Sequence, residues 1–161
     1  MRRLTKTILA AFGIRRVREA STAEEALALI REFEPDIAIV DFLMPGMTGL
    51  DFVKLVRGGS DDPMLPIIML TASSTQHLVT AARDAGVTEF VAKPVSPEAL
   101  RRRINEIILH PRNFIRSATF FGPDRRRKRP EAVEEDRRAA TPEAGTPEAG
   151  SDATQAQERV T

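Results

Sequence analysis

Short apolar runs that each stop on a polar residue govern what this chain can fold into. Ile37-Ala38-Ile39-Val40 stops at Asp41, Pro66-Ile67-Ile68-Met69-Leu70 at Thr71, and Glu89-Phe90-Val91-Ala92 at Lys93. Runs of this length, rich in β-branched residues and bounded by turn signals, read as buried strands. Segments with helical spacing of apolar residues lie between them. Strands that alternate with helices and are apolar on both faces require a parallel sheet covered on both sides. Crossovers in such units are right-handed, so successive strand ends share one edge. That edge is where open α/β sheets bind ligands, and Asp41, Thr71 and Lys93 are expected to converge on it.

The chain opens on a helix from Arg2 to Phe12, with Leu4, Ile8, Leu9 and Phe12 as its stripe and Gly13 closing it. Ile14 to Glu19 is expected to be a short strand. Ser21, three residues before Glu24, has capping-box spacing for a second helix that Pro35 stops. Leu50, Val53, Leu55 and Val56 mark a third, and Gln76 to Ala85 a fourth that ends at Gly86. Ser96 and Pro97 supply N-cap and N1 signals for a fifth helix, with Leu100, Ile104, Ile107 and Ile108 as its stripe.

Composition removes several classes of function. The 161 residues carry 24 Lys+Arg against 23 Asp+Glu, so net charge indicates neither nucleic acid nor membrane. There is no cysteine, hence no disulfide, thiol catalysis or cysteine metal site. His77 and His110 are too far apart to form a local metal motif. No apolar run has the length of a membrane span and no signal-peptide core follows Arg2 and Arg3. A cytoplasmic location is expected.

An acid, a hydroxyl and an ammonium at one sheet edge suit an anionic group held near the acid. A carboxylate can attack a phosphoryl group to give an acyl phosphate, and the transferring group needs mainly positioning and charge stabilisation. Lys93 could supply a point charge and Thr71 a hydrogen bond. The competing reading is structural: Thr71 caps a turn and Lys93 pairs with Asp41.

Three motifs in order separate the two readings. Asp41 is followed by Met44-Pro45 and Gly49, Thr71 by Ala72, and Lys93 by Pro94. With these motifs the chain, from its first residue to about His110, resembles the receiver domain of two-component response regulators. The intervals between the three motifs are also those usual in that family. The resemblance implies a flavodoxin-like (CheY-like), doubly wound parallel sheet, with Asp41 accepting a phosphoryl group from a histidine kinase or phosphotransfer protein. It also implies that Thr71 and Lys93 hold the phosphoryl oxygens and that Phe90 is the aromatic switch residue. Pro45, Gly49, Ala72 and Pro94 would support the site, with a cis peptide before Pro94. A downstream protein would dock on the fourth helix, the following strand and the fifth helix, a face that includes His77, Arg83, Glu98 and Arg101. Any enzymatic activity would be limited to self-phosphorylation and autodephosphorylation.

The family pattern begins with a strand ending in two adjacent acids, whereas this chain opens on the first helix and has no Asp or Glu before Glu19. The implied magnesium would have only Asp41 and the backbone carbonyl of Leu43, its acidic-pair ligands being absent, although this ion seeks near-octahedral oxygen coordination. Phosphorylation of the chain as it stands is expected to be impaired. In the family's 2-1-3-4-5 order the lacking strand is central, between Ile14 to Glu19 and Ile37 to Val40. One explanation is a start set too late, since Met1-Arg2-Arg3-Leu4 resembles the family's internal Met-Arg-x-Leu. The other is a shortened, phosphorylation-independent pseudo-receiver that acts as a docking module.

Three regions are expected: a receiver over 1–110, a short apolar extension over 111–124 and a disordered charged tail over 125–161. Phe114, Ile115, Phe120 and Phe121 could fold back on the domain or serve as an exposed peptide motif. The basic run Arg125 to Arg129 is followed closely by Glu134-Glu135-Asp136, which favours a solvated linker over a nucleic-acid contact. Two TPEAG copies, Thr141 to Gly145 and Thr146 to Gly150, also favour disorder.

Overall fold

The structure, a computed structural model, describes residues 2–59, 61–72 and 75–126. The chain divides into two units, Met1–Arg127 and Lys128–Thr161. The TPEAG copies and most of the basic run lie outside the described residues. In chain order the elements are α1 (Arg2–Ala11), α2 (Ala23–Phe33), β1 (Ala38–Asp41), α3 (Gly49–Gly59), β2 (Ile67–Thr71), α4 (Gln76–Ala85), β3 (Glu89–Ala92), α5 (Pro97–Leu109), β4 (Phe114–Arg116) and β5 (Phe121–Pro123).

β1, β2 and β3 form a parallel sheet in that order, with Asp41 opposite Leu70 and Thr71 opposite Ala92. Every residue of the middle strand β2 is buried, which explains why its sequence is continuously apolar. Its side chains alternate between two core clusters, as strand periodicity demands. Ile67 and Met69 join residues of α2, α3 and α4 on one face. Ile68 and Leu70 join residues of α1 and α5 on the other. The doubly wound α/β arrangement expected from the alternating pattern is therefore present.

The expected strand at Ile14 to Glu19 does not form: residues 14–20 carry no strand assignment. A strand is held by its ladder, and the Val17 N–H donates instead to the nearby Arg15 carbonyl at 3.1 Å. Ile14 and Val17 nevertheless pack against the core cluster of α1 and α5, while Arg16 and Arg18 lie over the Phe33 ring at 5.2 and 5.6 Å. The segment is irregular cover for the domain.

Helix boundaries follow the sequence signals with small shifts. The N-cap of α2 is Thr22, not Ser21: Thr22 Oγ1 accepts from the Glu25 N–H at 3.2 Å, and Glu25 reaches back to accept from the Ser21 N–H at 2.6 Å. The Ser21 hydroxyl instead accepts from Arg2 at 2.7 Å. Gly13 and Gly86 have the positive φ, 81° and 95°, expected of helix-ending glycines. Ser96 caps α5 by accepting from the Ala99 N–H, with Pro97 at the first turn. Leu4, Leu55 and Ile108 point to solvent, so those three stripes are narrower than the sequence suggests.

After α5 the chain turns back as an antiparallel hairpin, β4 paired with β5, in which Ile115 faces Gly122. Of the two readings of Phe114 to Phe121, folding back is the one observed. Among the described residues no helix is long and apolar enough to cross a membrane.

Candidate functional site at the carboxyl edge of the sheet

The parallel pairing brings the carboxyl ends of β1, β2 and β3 to one edge. Asp41 is the last residue of β1, Thr71 the last of β2, and Lys93 follows β3. The Phe42 N–H donates to the Leu70 carbonyl and the Lys93 N–H to the Thr71 carbonyl, both at 2.8 Å. The ladder thus continues one residue past each outer strand and fixes both backbones beside β2.

Lys93 Nζ lies 2.6 Å from Oδ1 and 2.6 Å from Oδ2 of Asp41. Side-chain exposure is 19% for Lys93 and 30% for Asp41, so the pair is shielded but open to a reactant. Oδ1 also accepts from the Leu43 N–H at 3.1 Å, the local turn that an aspartate makes with the backbone two residues on. The loop then doubles back: Leu43 bridges to Thr48, and the Gly49 N–H donates to the Phe42 carbonyl at 2.7 Å. A Cβ at position 49 would lie 2.5 Å from the Asp41 carbonyl oxygen and 3.0 Å from Phe42 Cα. Glycine is required there because α3 starts against the backbone that carries Asp41. Pro45 is exposed at the loop tip beside Gly46, whose φ is 82°.

Thr71 is buried at the end of the middle strand. It lines a cavity of about 160 Å³ together with Met69, Leu78, Val79, Phe90 and Arg103. Thr71 and Phe90 are therefore brought together at a cavity that α4 also lines, and Thr71 ends the strand that lies between those leading to Asp41 and Lys93. Ala72 and Pro94 are exposed just past their strands, and the Lys93–Pro94 peptide is cis. His77 and Arg83 on α4 and Glu98 and Arg101 on α5 are all exposed.

A match to the family model described as the response regulator receiver domain covers residues 1–105. This chain belongs to the response regulator receiver domain family. The receiver is 34% identical over 107 residues to the chemotaxis protein CheY of Pseudomonas aeruginosa, covering 66% of this chain and 86% of that protein. Among solved structures, Vibrio cholerae chemotaxis protein CheY4 superposes with a TM-score of 0.61 at 33% identity, covering 66% of the receiver chain and 88% of that one. The receiver domain of sensor histidine kinase PA1611 from Pseudomonas aeruginosa superposes at 0.58 with 23% identity, covering 65% and 85%, and shows the same fold.

Receiver domains generally bind magnesium in the active site, and the PA1611 receiver structure has a magnesium ion coordinated in its own active site cleft. The residues of the present receiver do not fit such an ion. Asp41 contributes one carboxylate, and the Lys93 ammonium is on both of its oxygens. Beyond it only the Leu43 carbonyl was expected to contribute. Among the described residues no group of three or more His, Cys, Asp or Glu is placed to hold a metal ion. Magnesium seeks near-octahedral oxygen coordination, and one carboxylate neutralised by an ammonium does not provide it.

Two buried charges escaped the sequence reading. Glu89, at the start of β3, accepts from Arg103 at 3.0 Å and from Arg112 at 2.8 Å. Arg57 donates twice to the Gly86 carbonyl, at 3.1 and 2.9 Å, and once to Pro63 at 2.8 Å. Burial lowers its guanidinium to about 10, partly opposed by nearby Asp62, so it remains charged at neutral pH. A glutamate opening an otherwise apolar strand was the available signal for Glu89. Arg57, in the last turn of an amphipathic helix, gave none.

Proposed function

We propose that this receiver takes a phosphoryl group onto Asp41 from the phosphohistidine of a histidine kinase or phosphotransfer protein and signals by protein contact in the cytoplasm. The observation that carries the reading is the ammonium of Lys93 against both Asp41 oxygens at the carboxyl edge of the sheet. One Asp41 oxygen attacks phosphorus, the P–N bond of the donor breaks, and the imidazole leaves with the electron pair and takes up a proton. The product is an acyl phosphate on Asp41. Lys93 moves from the carboxylate to a phosphoryl oxygen, so that its positive charge follows the developing negative charge. The Thr71 hydroxyl donates to a second oxygen. Phe90, which shares a cavity with Thr71, responds to that change, and the exposed faces of α4 and α5 carry it to a protein target. Gly49 and the Pro45 turn hold Asp41 in register, and Ala72 and Pro94 keep the approach to the pair open.

A second reading has an observation of its own in its favour. The Asp41 carboxylate is already satisfied by Lys93 and its surroundings do not fit magnesium, which suits a docking module that works without phosphorylation. Partner binding unchanged by Asp41→Ala would support it. Incubating the full chain with acetyl phosphate and following intact mass distinguishes the two. Phosphoryl acceptance requires a one-phosphoryl mass gain that is absent in Asp41→Asn; absence of any gain in the unmodified chain removes that reading and leaves the docking module.

A further inference from the structure

The hairpin β4–β5 follows the last helix of the receiver and lies beyond the residues matched by the family model. It is fixed at several points. The Arg57 guanidinium, already held by the Gly86 carbonyl, lies 5.0 Å from the Phe114 ring centroid. A Cβ at Gly122 would come within 3.0 Å of Gly86 Cα, and one at Gly86 within 3.2 Å of the Phe121 carbonyl oxygen. β5 therefore rests backbone against backbone on the residue that ends α4. Arg125 pairs with Asp84 of the same helix at 3.1 Å. Arg112, at the entrance to the hairpin, holds one oxygen of buried Glu89, and Arg103 holds the other.

These attachments meet one helix and one cavity. In its C-terminal half α4 is buried through Ala82 and Ala85. In its N-terminal half Leu78 and Val79 are only half-buried and border the cavity shared with Thr71, Phe90 and Arg103. Close packing resists displacement, whereas side chains over a void have unfilled space into which to move. The hairpin grips the packed end of α4, and Arg112–Glu89–Arg103 reaches the wall of the cavity beneath the looser end.

We infer that the hairpin is a regulatory brace: its docking sets the position of α4 and the shape of the cavity beside Thr71. Undocking lets α4 shift and the cavity change, so the C-terminal extension and the carboxyl edge of the sheet are energetically coupled. The coupling rests on packing and ion pairs and does not require Asp41 to be phosphorylated.

Hydrogen exchange followed by mass spectrometry on the full chain tests this. Gly122→Val inserts side-chain atoms against Gly86, and Arg112→Gln removes one of the two cations on Glu89, leaving Arg103, without touching the hairpin core. Both are expected to raise exchange about tenfold in peptides spanning Gln76–Ala85, within the usual range of coupling between sites, while peptides of Ala23–Phe33 keep their protection. Leu78→Ala, made at the cavity, is expected to raise exchange in Phe114–Pro123 in turn, since coupling is reciprocal. Faster exchange confined to the hairpin would overturn the brace and make it a passive appendage. A uniform rise across the whole unit in Arg112→Gln as well as Gly122→Val would overturn it too, because α4 would then have no privileged link to the hairpin.

Discussion

The ammonium of Lys93 stands equidistant, 2.6 Å, from the two carboxylate oxygens of Asp41, although the two residues are 52 apart in sequence. Such a pair can either serve phosphoryl transfer or block it. If Lys93 follows the charge onto the phosphoryl group, Lys93→Ala slows adduct formation from a small phosphodonor by about 10²-fold, the usual loss on removing one stabilising group. If its main effect is to occupy the carboxylate, Lys93→Ala accelerates the reaction. A time course of intact mass separates the two, and slowing is expected.

Gly49→Ala places a Cβ 2.5 Å from the Asp41 carbonyl oxygen. Both the obstacle and the helix start are backbone, so neither yields cheaply. The substitution is expected to destabilise the unit by about 1–3 kcal/mol, the range for forced overpacking, and to slow adduct formation as Asp41 is displaced. Urea unfolding gives the first value, and an unchanged midpoint would contradict the packing described.

Arg57→Met leaves the carbonyls of Gly86 and Pro63 without their guanidinium partner. Unsatisfied buried acceptors cost about 1–3 kcal/mol each, so a loss of roughly 2–4 kcal/mol is expected once methionine packing offsets part of it. The pH dependence has a definite sign. Burial lowers Arg57 to about 10 in the folded state, so above that pH the unfolded chain holds more protons and this group's contribution to stability rises with pH. Near neutral pH it adds no slope. A stability curve that differs between the original and Arg57→Met only by a constant offset around neutrality would agree.

Glu19, Glu24 and Asp51 titrate below their ordinary values. The hydrogen bond from Lys6 is the largest cause for Glu19, the residue's own backbone N–H for Glu24, and the Thr48 hydroxyl for Asp51. Their folded-state values are depressed, so the stability they contribute is present above the unfolded values and is lost as pH falls through the folded ones. All three are solvent-exposed, so the effect is small. Carbon-detected NMR titration is expected to place each midpoint below that of the corresponding unfolded peptide.

The three strands and five helices were legible because β2 is buried on both faces and the helices carry terminal signals such as Gly13, Gly86 and Ser96. So was the pairing of Asp41 with Lys93, since parallel strands with right-handed crossovers have a common edge. The segment after α1 was misread because Ile14 and Val17 look like strand residues, yet a strand exists only through a ladder and none reaches them. Capping-box spacing to Glu24 points to Ser21, but the long-range bond from Arg2 occupies the Ser21 hydroxyl and Thr22 caps the helix instead. The seating of the hairpin was hidden because it depends on Gly86 meeting Gly122 and on Arg57 beneath Phe114. Those contacts leave no local periodicity.

The most direct measurement is the position of the acyl phosphate. The full chain is incubated with excess phosphoramidate, the product is trapped by borohydride reduction, which converts an aspartyl phosphate to homoserine, and the peptides are sequenced by mass spectrometry. Homoserine at position 41 and nowhere else, slow to form and little changed by added magnesium, is expected of a phosphoacceptor that Lys93 rather than a metal attends. Homoserine at another aspartate, or none at all, would contradict the assignment of Asp41.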